Sequence, residues 1–261
     1  MKRILCLSLF AALTLTGYAA FAADTCTKLT VTGHPQYPVL MYKDGDRIAG
    51  LGPMLVEAIA KQLKIPVESK YMGSWADAQA ATREGKADMI VGIYYNDERA
   101  AYLDYVRPAY IIDPWVSVFV AKGKSFPFSG RQDLVGKKGV ANQGESFGTE
   151  FDPFIKEELT VARSDGIDDA FKDLLSGKSD YVISGYYPAL AQADVLNIGQ
   201  QIEALYPPLL DAEMFAAFSK KSPCRYLARD FGRAVAAIKT DGRLNTMLTT
   251  AIVNWDEVKH P

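Results

Sequence analysis

A short polar motif contains a residue type that binds carboxylates. The motif is YYNDER, residues 94–99, which follows an apolar run, and Asn96 is a suitable N-cap for a short helix starting there. The guanidinium of Arg99 can grip a carboxylate through two parallel hydrogen bonds, which the ammonium of a lysine cannot do. The alternative interpretation is a surface arginine that pairs with Asp97 or Glu98.

A second motif, GESFG at residues 144–148, fits the G-x-S-x-G pattern of serine hydrolases. Ser146 would be the nucleophile, and a catalytic histidine should follow it along the chain. The only later histidine is His260, the second-last residue, and His34 precedes the motif. The motif without its base is weak evidence, so we do not expect hydrolysis. Two distant histidines without a Cys/His cluster also predict no metal site.

Composition narrows the class of protein. The chain has 261 residues, of which 49% are hydrophobic and 23% charged, which is typical of a globular protein. Its net charge of −2 gives no basic surplus that would attract nucleic acid or anionic lipid. We therefore expect a small-molecule partner and no nucleic acid.

The N-terminal segment predicts export. Lys2 and Arg3 precede an apolar run too short to span a bilayer, and the small residues around Ala22 suit a signal peptidase. We expect a signal peptide over residues 1–22, with cleavage after Ala22 or one residue later. No lipobox precedes a cysteine, which favours a free periplasmic protein over a lipid-anchored one.

Cysteine usage agrees with an oxidising compartment. Removal of the signal peptide would remove Cys6 and leave Cys26 and Cys224. An even number of cysteines in such a compartment favours one disulfide bond between them. The alternative is two unpaired cysteines that act as small hydrophobic residues.

The elements that must position these motifs alternate between strand and helix, which predicts an α/β fold with mostly parallel sheets. A repeated device supports two lobes. GKADMIVG at residues 85–92 and GKSDYVISG at residues 177–185 each follow a predicted helix. In each, glycine ends the helix and aspartate precedes a buried strand, which we expect to stop at Gly92 and Gly185.

Five segments, taken in order along the chain, form a more specific pattern. They are YPVLMYKDGDRIAGLGPMLVEAIAKQL, GSWADAQAATREGKADMIVGIYYNDERAAYLDYVRPAY, LVGKKGVANQGES, GKSDYVISGYYPALA and FAAFSKKSPCRYLARDFGRAVAAIKTDGRLNTML. In this order and spacing they resemble the bacterial periplasmic solute-binding proteins of the polar-amino-acid class, which serve ABC importers. The resemblance covers essentially the whole mature chain.

The resemblance implies a periplasmic-binding-protein-like α/β fold with two lobes joined by a two-segment hinge. The first lobe would comprise residues 23–112 plus 213–261, and the second lobe residues 113–212. Ligands of such folds bind in the crevice outside the carboxyl ends of the strands, and closure of the lobes buries them.

The resemblance also assigns ligand-binding roles on the first lobe. Arg99 matches the arginine that binds the α-carboxylate of the ligand. Tyr37 and Trp75 match positions that flank the ligand side chain, where aromatic faces can hold apolar or cationic groups. Tyr94 falls where a small hydroxyl residue is usual. Core packing is the alternative for the three aromatic residues.

On the second lobe, Gly144, Glu145 and Ser146 match a loop that contacts the ligand carboxylate with backbone N–H groups and a hydroxyl. Ser146 fits that role. Glu145 departs from the pattern, because a small residue is usual there, and its carboxylate suggests a cationic group on the ligand. Alternatively, Glu145 is a solvated glutamate near a helix N-terminus.

Gly185 is a larger departure, because the family has an ammonium-binding aspartate at that position. The segment GLGPML also lacks acidic residues that are common in the family. Either Glu145, Asp211 or Glu213 replaces the aspartate, or the ligand has no α-ammonium.

The sequence thus favours a monomeric periplasmic binding protein without cofactor or turnover, whose partners are a small carboxylate, with or without an amine, and an ABC permease. One alternative is a lyase resembling cyclohexadienyl dehydratase, with Glu145 or Glu213 as the acid. A ligand-presenting sensor component is another.

Overall fold

The computed structural model describes residues 26–112 and 115–259. The predicted signal peptide and His260 lie outside these residues. No helix within the described part of the chain is long and apolar enough to cross a membrane.

Strands and helices alternate along most of the chain, as predicted. The strands are β1 Leu29–Gly33, β2 Gln36–Tyr37, β3 Met41–Asp44, β4 Arg47–Ala49, β5 Val67–Ser69, β6 Met89–Tyr94, β7 Leu103–Tyr105, β8 Ile111–Ile112, β9 Val116–Ala121, β10 Lys138–Asn142, β11 Thr160–Ser164, β12 Tyr181–Gly185, β13 Ile202–Ala204 and β14 Glu213–Ser219. The helices are α1 Leu51–Leu63, α2 Trp75–Glu84, α3 Asp97–Ala100, α4 Phe151–Glu158, α5 Ile167–Leu175, α6 Tyr186–Val195, α7 Ala228–Thr240 and α8 Arg243–Lys259. Two 3-10 turns lie at Arg131–Leu134 and Arg225–Leu227.

The strands form two main sheets, which define the two lobes of the fold. The sheet of the first lobe has the order β5-β1-β6-β14-β7, with β8 also paired to β14. The sheet of the second lobe has the order β11-β10-β12-β9-β13. A small sheet, β2-β3-β4, turns at Gly45, within the predicted Asp44-Gly45-Asp46 turn.

The sheets are mixed rather than mostly parallel. In each, the second strand of the order has parallel neighbours on both sides: β1 lies between β5 and β6, and β10 lies between β11 and β12. The antiparallel strands are those next to the crossings between lobes, because β9 follows the first crossing and β14 follows the second. The alternation of strands and helices in the sequence predicted the βαβ units. It contained no signal that β9 and β14 would pair in the antiparallel direction.

The repeated device is present in both lobes. Gly85 has a φ of 82° at the end of α2, and Gly177 has a φ of 76° just beyond α5, so each supplies the left-handed backbone that ends a helix. The predicted stop at Gly185 is confirmed, whereas the stop at Gly92 is wrong. Gly92, with a φ of 75°, lies at a register shift between β6 and β14, and the strand continues to Tyr94.

A disulfide bond joins Cys26 to Cys224, as the cysteine count predicted. It ties the start of the described chain, just before β1, to the 3-10 turn that precedes α7. The cross-link therefore lies entirely within the first lobe.

Candidate functional site

The two lobes meet where the carboxyl ends of β1 and β10 face each other. His34 follows β1 in the first lobe, and Asn142 ends β10 in the second. The side-chain nitrogens of these two residues, His34 Nε2 and Asn142 Nδ2, lie 3.0 Å apart. The crevice expected for such folds is therefore formed by these strand ends.

Arg99 lies in this crevice and is only 4% exposed. Asn96 caps the short helix α3 as predicted, since its side chain accepts a hydrogen bond from the backbone N–H of Arg99 at 2.7 Å. The guanidinium donates to Gln79 Oε1 at 3.1 Å and to the backbone oxygens of Tyr94 and Gly144, each at 3.0 Å. Gly144 belongs to the second lobe, so Arg99 joins the two sides of the crevice.

The predicted aromatic residues form one wall of the crevice. Tyr37 and Tyr94 are 4% and 5% exposed, and their hydroxyl oxygens are 2.8 Å apart. Trp75 begins α2 behind the Ser74 cap, and the guanidinium of Arg99 lies 5.7 Å from its ring centroid. The structure thus places Trp75 against Arg99 and Tyr37 against Tyr94, but none of the three aromatic side chains lines the cavity beside Arg99.

Burial keeps the two phenols neutral. Removal from solvent raises the pKa of both Tyr37 and Tyr94, and the negative charge of Glu145 raises both further. Each hydroxyl therefore keeps its proton at physiological pH and can donate or accept a hydrogen bond within the crevice.

The second-lobe loop presents Gly144, Glu145 and Ser146 together. Gly144 has a φ of 81°, a conformation that favours glycine, and this turn aims its carbonyl oxygen at Arg99. Ser146 is buried, and its hydroxyl donates to Asp152 Oδ2 and accepts from Asn96 Nδ2 at 2.7 Å.

The Ser146 hydroxyl, which was predicted to contact the ligand carboxylate, already donates to Asp152 within the second lobe. Asp152 Oδ1 also accepts the backbone N–H of Phe147 at 2.7 Å. Helix α4 begins only at Phe151, so the loop does not lead directly into it. Asp152, which the motif did not indicate, thus supplies an internal carboxylate at the predicted anion-binding loop.

The absence of a side chain at Gly185 has a clear steric reason. A Cβ atom at this position would lie 2.0 Å from the hydroxyl oxygen of Tyr37 and 2.7 Å from its Cζ. The φ of Gly185 is −59°, so its backbone conformation does not itself require glycine. Tyr37 of the first lobe therefore fills the space that a side chain at 185 would use.

A polar cavity of about 450 Å³ opens beside Arg99. Its lining includes Arg99, Glu145 and Ser146, with Gln79 and Asn96 from the first lobe. Asp211 and Glu213, the other candidates for a replacement acid, line a separate cavity of about 330 Å³. Of the three acids, Glu145 is thus the one that shares a cavity with Arg99.

The geometry around Ser146 and the distribution of possible metal ligands bear on two other kinds of site, a serine hydrolase and a metal centre. Within residues 26–112 and 115–259, the hydroxyl of Ser146 contacts Asn96, Asp152 and the backbone of Gly148, but no histidine. This arrangement lacks the nucleophile–base contact of a hydrolase. The described residues also contain no cluster of three His, Cys, Asp or Glu side chains that could hold a metal ion.

Sequence reasoning missed His34 and Gln79 as site residues. His34 lies outside the quoted motifs and is 3% exposed, and its ring lies 5.0 Å from that of Trp75. Gln79 lies one helical turn after Trp75 and contacts both Arg99 and Gly144. The Trp75–Gln79 spacing on α2 was the available signal, because residues four apart share a helix face.

Comparisons with known proteins agree with this architecture. The profile of bacterial extracellular solute-binding proteins, family 3, matches residues 29–252. A probable histidine-binding protein of Campylobacter jejuni is 24% identical over 236 residues, covering 88% of this chain and 87% of the relative.

Solved structures are similar over most of their length. An amino acid ABC transporter substrate-binding protein of Streptococcus pneumoniae, bound to L-arginine, has a TM-score of 0.71 and 22% identity, covering 88% of this chain and 96% of that one. A histidine kinase sensor domain with similarity to periplasmic binding proteins has a TM-score of 0.72 and 20% identity, covering 87% and 96%. At these identities the likeness shows the fold, which confirms the predicted periplasmic-binding-protein-like architecture.

Proposed function

The chain belongs to the bacterial extracellular solute-binding proteins of family 3, and from this premise we propose that it binds an amino acid or a related small carboxylate between its lobes. It then delivers this ligand to an ABC importer. The arginine-bound and histidine-binding relatives support a ligand of this class.

The observation that carries this proposal is that the guanidinium of Arg99 has no carboxylate partner among the described residues. Within the described chain, its guanidinium hydrogen-bonds to three neutral oxygens and to no carboxylate. A buried cation without a counter-charge is costly, and a guanidinium has five N–H donors, of which these bonds use three. An anionic ligand in the adjoining cavity would supply the missing charge and accept the remaining hydrogen bonds.

The surroundings of Arg99 support interlobe binding. The cavity beside it is lined by both lobes, so closure of the lobes would enclose a ligand. We propose hinge crossings at 112/113 and 212/213, which fall between β8 and β9 and between β13 and β14. The mature chain would act as a monomer in the periplasm, without turnover, and would dock on an inner-membrane permease when closed.

A thermal-shift screen of unfolded and refolded protein is the first test. The panel would contain amino acids, decarboxylated amines, amine-free carboxylates and prephenate-like cyclohexadienols. A ligand at ~100 times its Kd stabilises the folded state by about 2.7 kcal/mol, which is readily measured. Shifts restricted to compounds without a carboxylate would overturn the proposal, and turnover of a cyclohexadienol would indicate the lyase instead.

Substitution of Arg99 tests the residue that carries the proposal. Arg99→Ala should weaken carboxylate binding at least about tenfold, since a charged hydrogen bond contributes about 1.5–3 kcal/mol. Arg99→Lys should restore only part of the loss, because lysine keeps the charge without the planar fork. Arg229→Ala removes an exposed arginine of α7 and is the matched control. Unchanged affinity of Arg99→Ala in calorimetry would contradict the assignment.

A further inference from the structure

A histidine outside the predicted site contacts the unusual glutamate across the crevice. His34 Nε2 lies 3.2 Å from Glu145 Oε1, and the two side chains are only 3% and 12% exposed. His34 is held on its own lobe by Trp75, whose ring centroid is 5.0 Å away, and by the backbone N–H of Gln36. The contact therefore joins a fixed ring in the first lobe to the Glu145 carboxylate of the second lobe.

The hydrogen bond from Gln36 determines which nitrogen of His34 carries the proton. The backbone N–H of Gln36 donates to His34 Nδ1 at 2.9 Å, so Nδ1 is unprotonated. A neutral imidazole then carries its proton on Nε2, and this N–H donates to Glu145. Asn142 lies 3.0 Å from the same nitrogen, so its amide oxygen faces Nε2 and shares the N–H with Glu145 Oε1.

This arrangement orients Glu145 without cancelling its charge. A neutral imidazole donates a hydrogen bond, but it adds no positive charge to the carboxylate. Within the described residues, the contact with His34 involves Oε1 and no protein partner engages Oε2. Among the described residues, Glu145 thus keeps an oxygen without a protein partner, and it shares a cavity with Arg99.

Position 185 has no room for an acidic side chain. The hydroxyl of Tyr37 fills the space beside Gly185, where a Cβ atom would lie only 2.0 Å from it. Asp211 and Glu213 line a different cavity. Of the other acids that line the cavity beside Arg99, Asp152 accepts hydrogen bonds from Ser146 and Phe147, and Glu98 pairs with Arg83. A cationic group on a ligand held by Arg99 thus has Glu145 as its partner.

We propose that His34 is a positioning and specificity-determining residue, which holds Glu145 so that its carboxylate receives a cationic group of the ligand. The ligand's own carboxylate lies on Arg99, so this inference rests on the proposed function. The ligand is accordingly a small zwitterion. Its positive charge is bound by Glu145 and not by an acid at position 185.

Three probe ligands test whether Glu145 binds the guanidinium or the α-ammonium of the ligand. L-Citrulline replaces the guanidinium of L-arginine with a neutral urea of the same shape, and 5-guanidinopentanoic acid lacks its α-ammonium. Wild type should bind L-arginine at least about tenfold more tightly than one of these analogues. Glu145→Gln should reduce that ratio to about one and leave the affinity for the disfavoured analogue within about threefold.

Variants of His34 test its positioning role. His34→Gln keeps an N–H donor near the place of Nε2, whereas His34→Phe keeps a ring without one. His34→Gln should retain most of the discrimination, and His34→Phe should lose it to the level of Glu145→Gln. A purely structural role would weaken all three probes equally and leave their ratio unchanged, which would overturn the inference. Thermal unfolding of each variant separates misfolding from lost discrimination.

The outcomes separate this inference from the function on which it rests. If wild type binds the three carboxylates without preference for either charge, the role of Glu145 and His34 is wrong while solute binding stands. If it binds neither these probes nor any carboxylate of the screen, both proposals fall. Discrimination that persists in Glu145→Gln would also overturn the inference.

Discussion

The two lobes share one device at the amino ends of their central strands. Asp88 of GKAD accepts the backbone N–H of Thr30 at 2.8 Å, and Asp180 of GKSD accepts that of Lys138 at 2.7 Å. In return, the backbone N–H of each aspartate donates to the carbonyl of the same partner residue. Each aspartate thus fixes the register between two neighbouring parallel strands, β1–β6 in the first lobe and β10–β12 in the second.

The carboxyl ends of the same strands differ completely. In the first lobe, β6 continues past the bulge at Gly92 to Tyr94, and the next helix carries Arg99. In the second lobe, β12 stops at Gly185, whose bare backbone faces Tyr37. The first lobe therefore provides a cation and aromatic side chains, whereas the second provides backbone groups and Glu145. The amino ends of the strands, which are alike in the two lobes, hold the sheets together. The carboxyl ends, which differ, form the site.

The disulfide bond lies in the first lobe and has no counterpart in the described part of the second. Its removal should have the largest effect on stability. The bond closes a sequence separation of 198 residues and joins the segment before β1 to the 3-10 turn before α7, both in the first lobe. We expect Cys26→Ala/Cys224→Ala to lower the free energy of unfolding by about 2–5 kcal/mol. Hydrogen exchange should show the loss in β1 and β6, while β10 and β12 keep their protection.

Chemical reduction of wild type is the control for the double variant. It removes the same bond without changing the side chains, so its effect on hydrogen exchange should match. Equal loss of protection in both lobes would show that the lobes unfold as one unit and that the cross-link does not distinguish them.

The contact between Tyr37 of the first lobe and Gly185 of the second should determine how closely the lobes approach each other when they close. Gly185→Ala places a methyl group against the Tyr37 hydroxyl, and overpacking of this kind costs about 1–3 kcal/mol. We expect ligand affinity to fall about fivefold or more in calorimetry. The cost arises only when the lobes close, so the melting temperature of the ligand-free protein should change little.

A double-mutant cycle checks this steric origin. Tyr37→Ala weakens binding by itself, but it also removes the clash, so adding Gly185→Ala should then cost almost nothing. Additive penalties would mean that position 185 acts through the backbone of α6 and not through Tyr37.

The shared aspartates should differ in strength because their surroundings differ. Asp88 is partly buried and also accepts the hydroxyl hydrogen of Ser222 at 2.7 Å, whereas Asp180 is exposed. Asp88→Ala leaves two donors unpaired and should cost about 2–3 kcal/mol in urea unfolding. Asp180→Ala should cost less than half of that, since water can replace its bond. Equal losses of stability would show that burial does not distinguish Asp88 from Asp180. Asp88→Asn, which keeps an acceptor, is the control.

Local sequence signals predicted the parts of the molecule that depend on neighbours in the chain. The glycine-ended helices, the Asn96 cap and the cysteine pair all follow from residue types at short spacing or from compartment, and the structure contains each of them. The antiparallel return of β14 beside β6 could not be predicted this way, because it depends on strand pairing between distant segments.

The candidate site shows the same limit. Arg99 and the Gly144 loop were predicted from motifs and resemblance, and the structure places them 3.0 Å apart at Arg99 Nη2 and the Gly144 oxygen. His34 carries no local signal, because its role depends on Glu145, which is more than 100 residues away along the chain. Asp152 is similar, since only the folded loop shows that its carboxylate accepts hydrogen bonds from Ser146 and Phe147.

The smallest expected effect concerns Asn96, which serves both its own lobe and the opposite one. Its side-chain oxygen caps α3, while its Nδ2 donates to Ser146 across the crevice at 2.7 Å. Asn96→Ser keeps a capping oxygen but loses the cross-lobe donor, so stability should hold while affinity falls a few-fold, about 0.5–1.5 kcal/mol. Asn96→Ala loses both and should also lower the free energy of unfolding by about 1 kcal/mol. If Asn96→Ser binds ligand as tightly as wild type, this hydrogen bond does not contribute to closure. Within the described residues, first-lobe side chains would then still reach the second lobe through Gln79, Arg99 and His34.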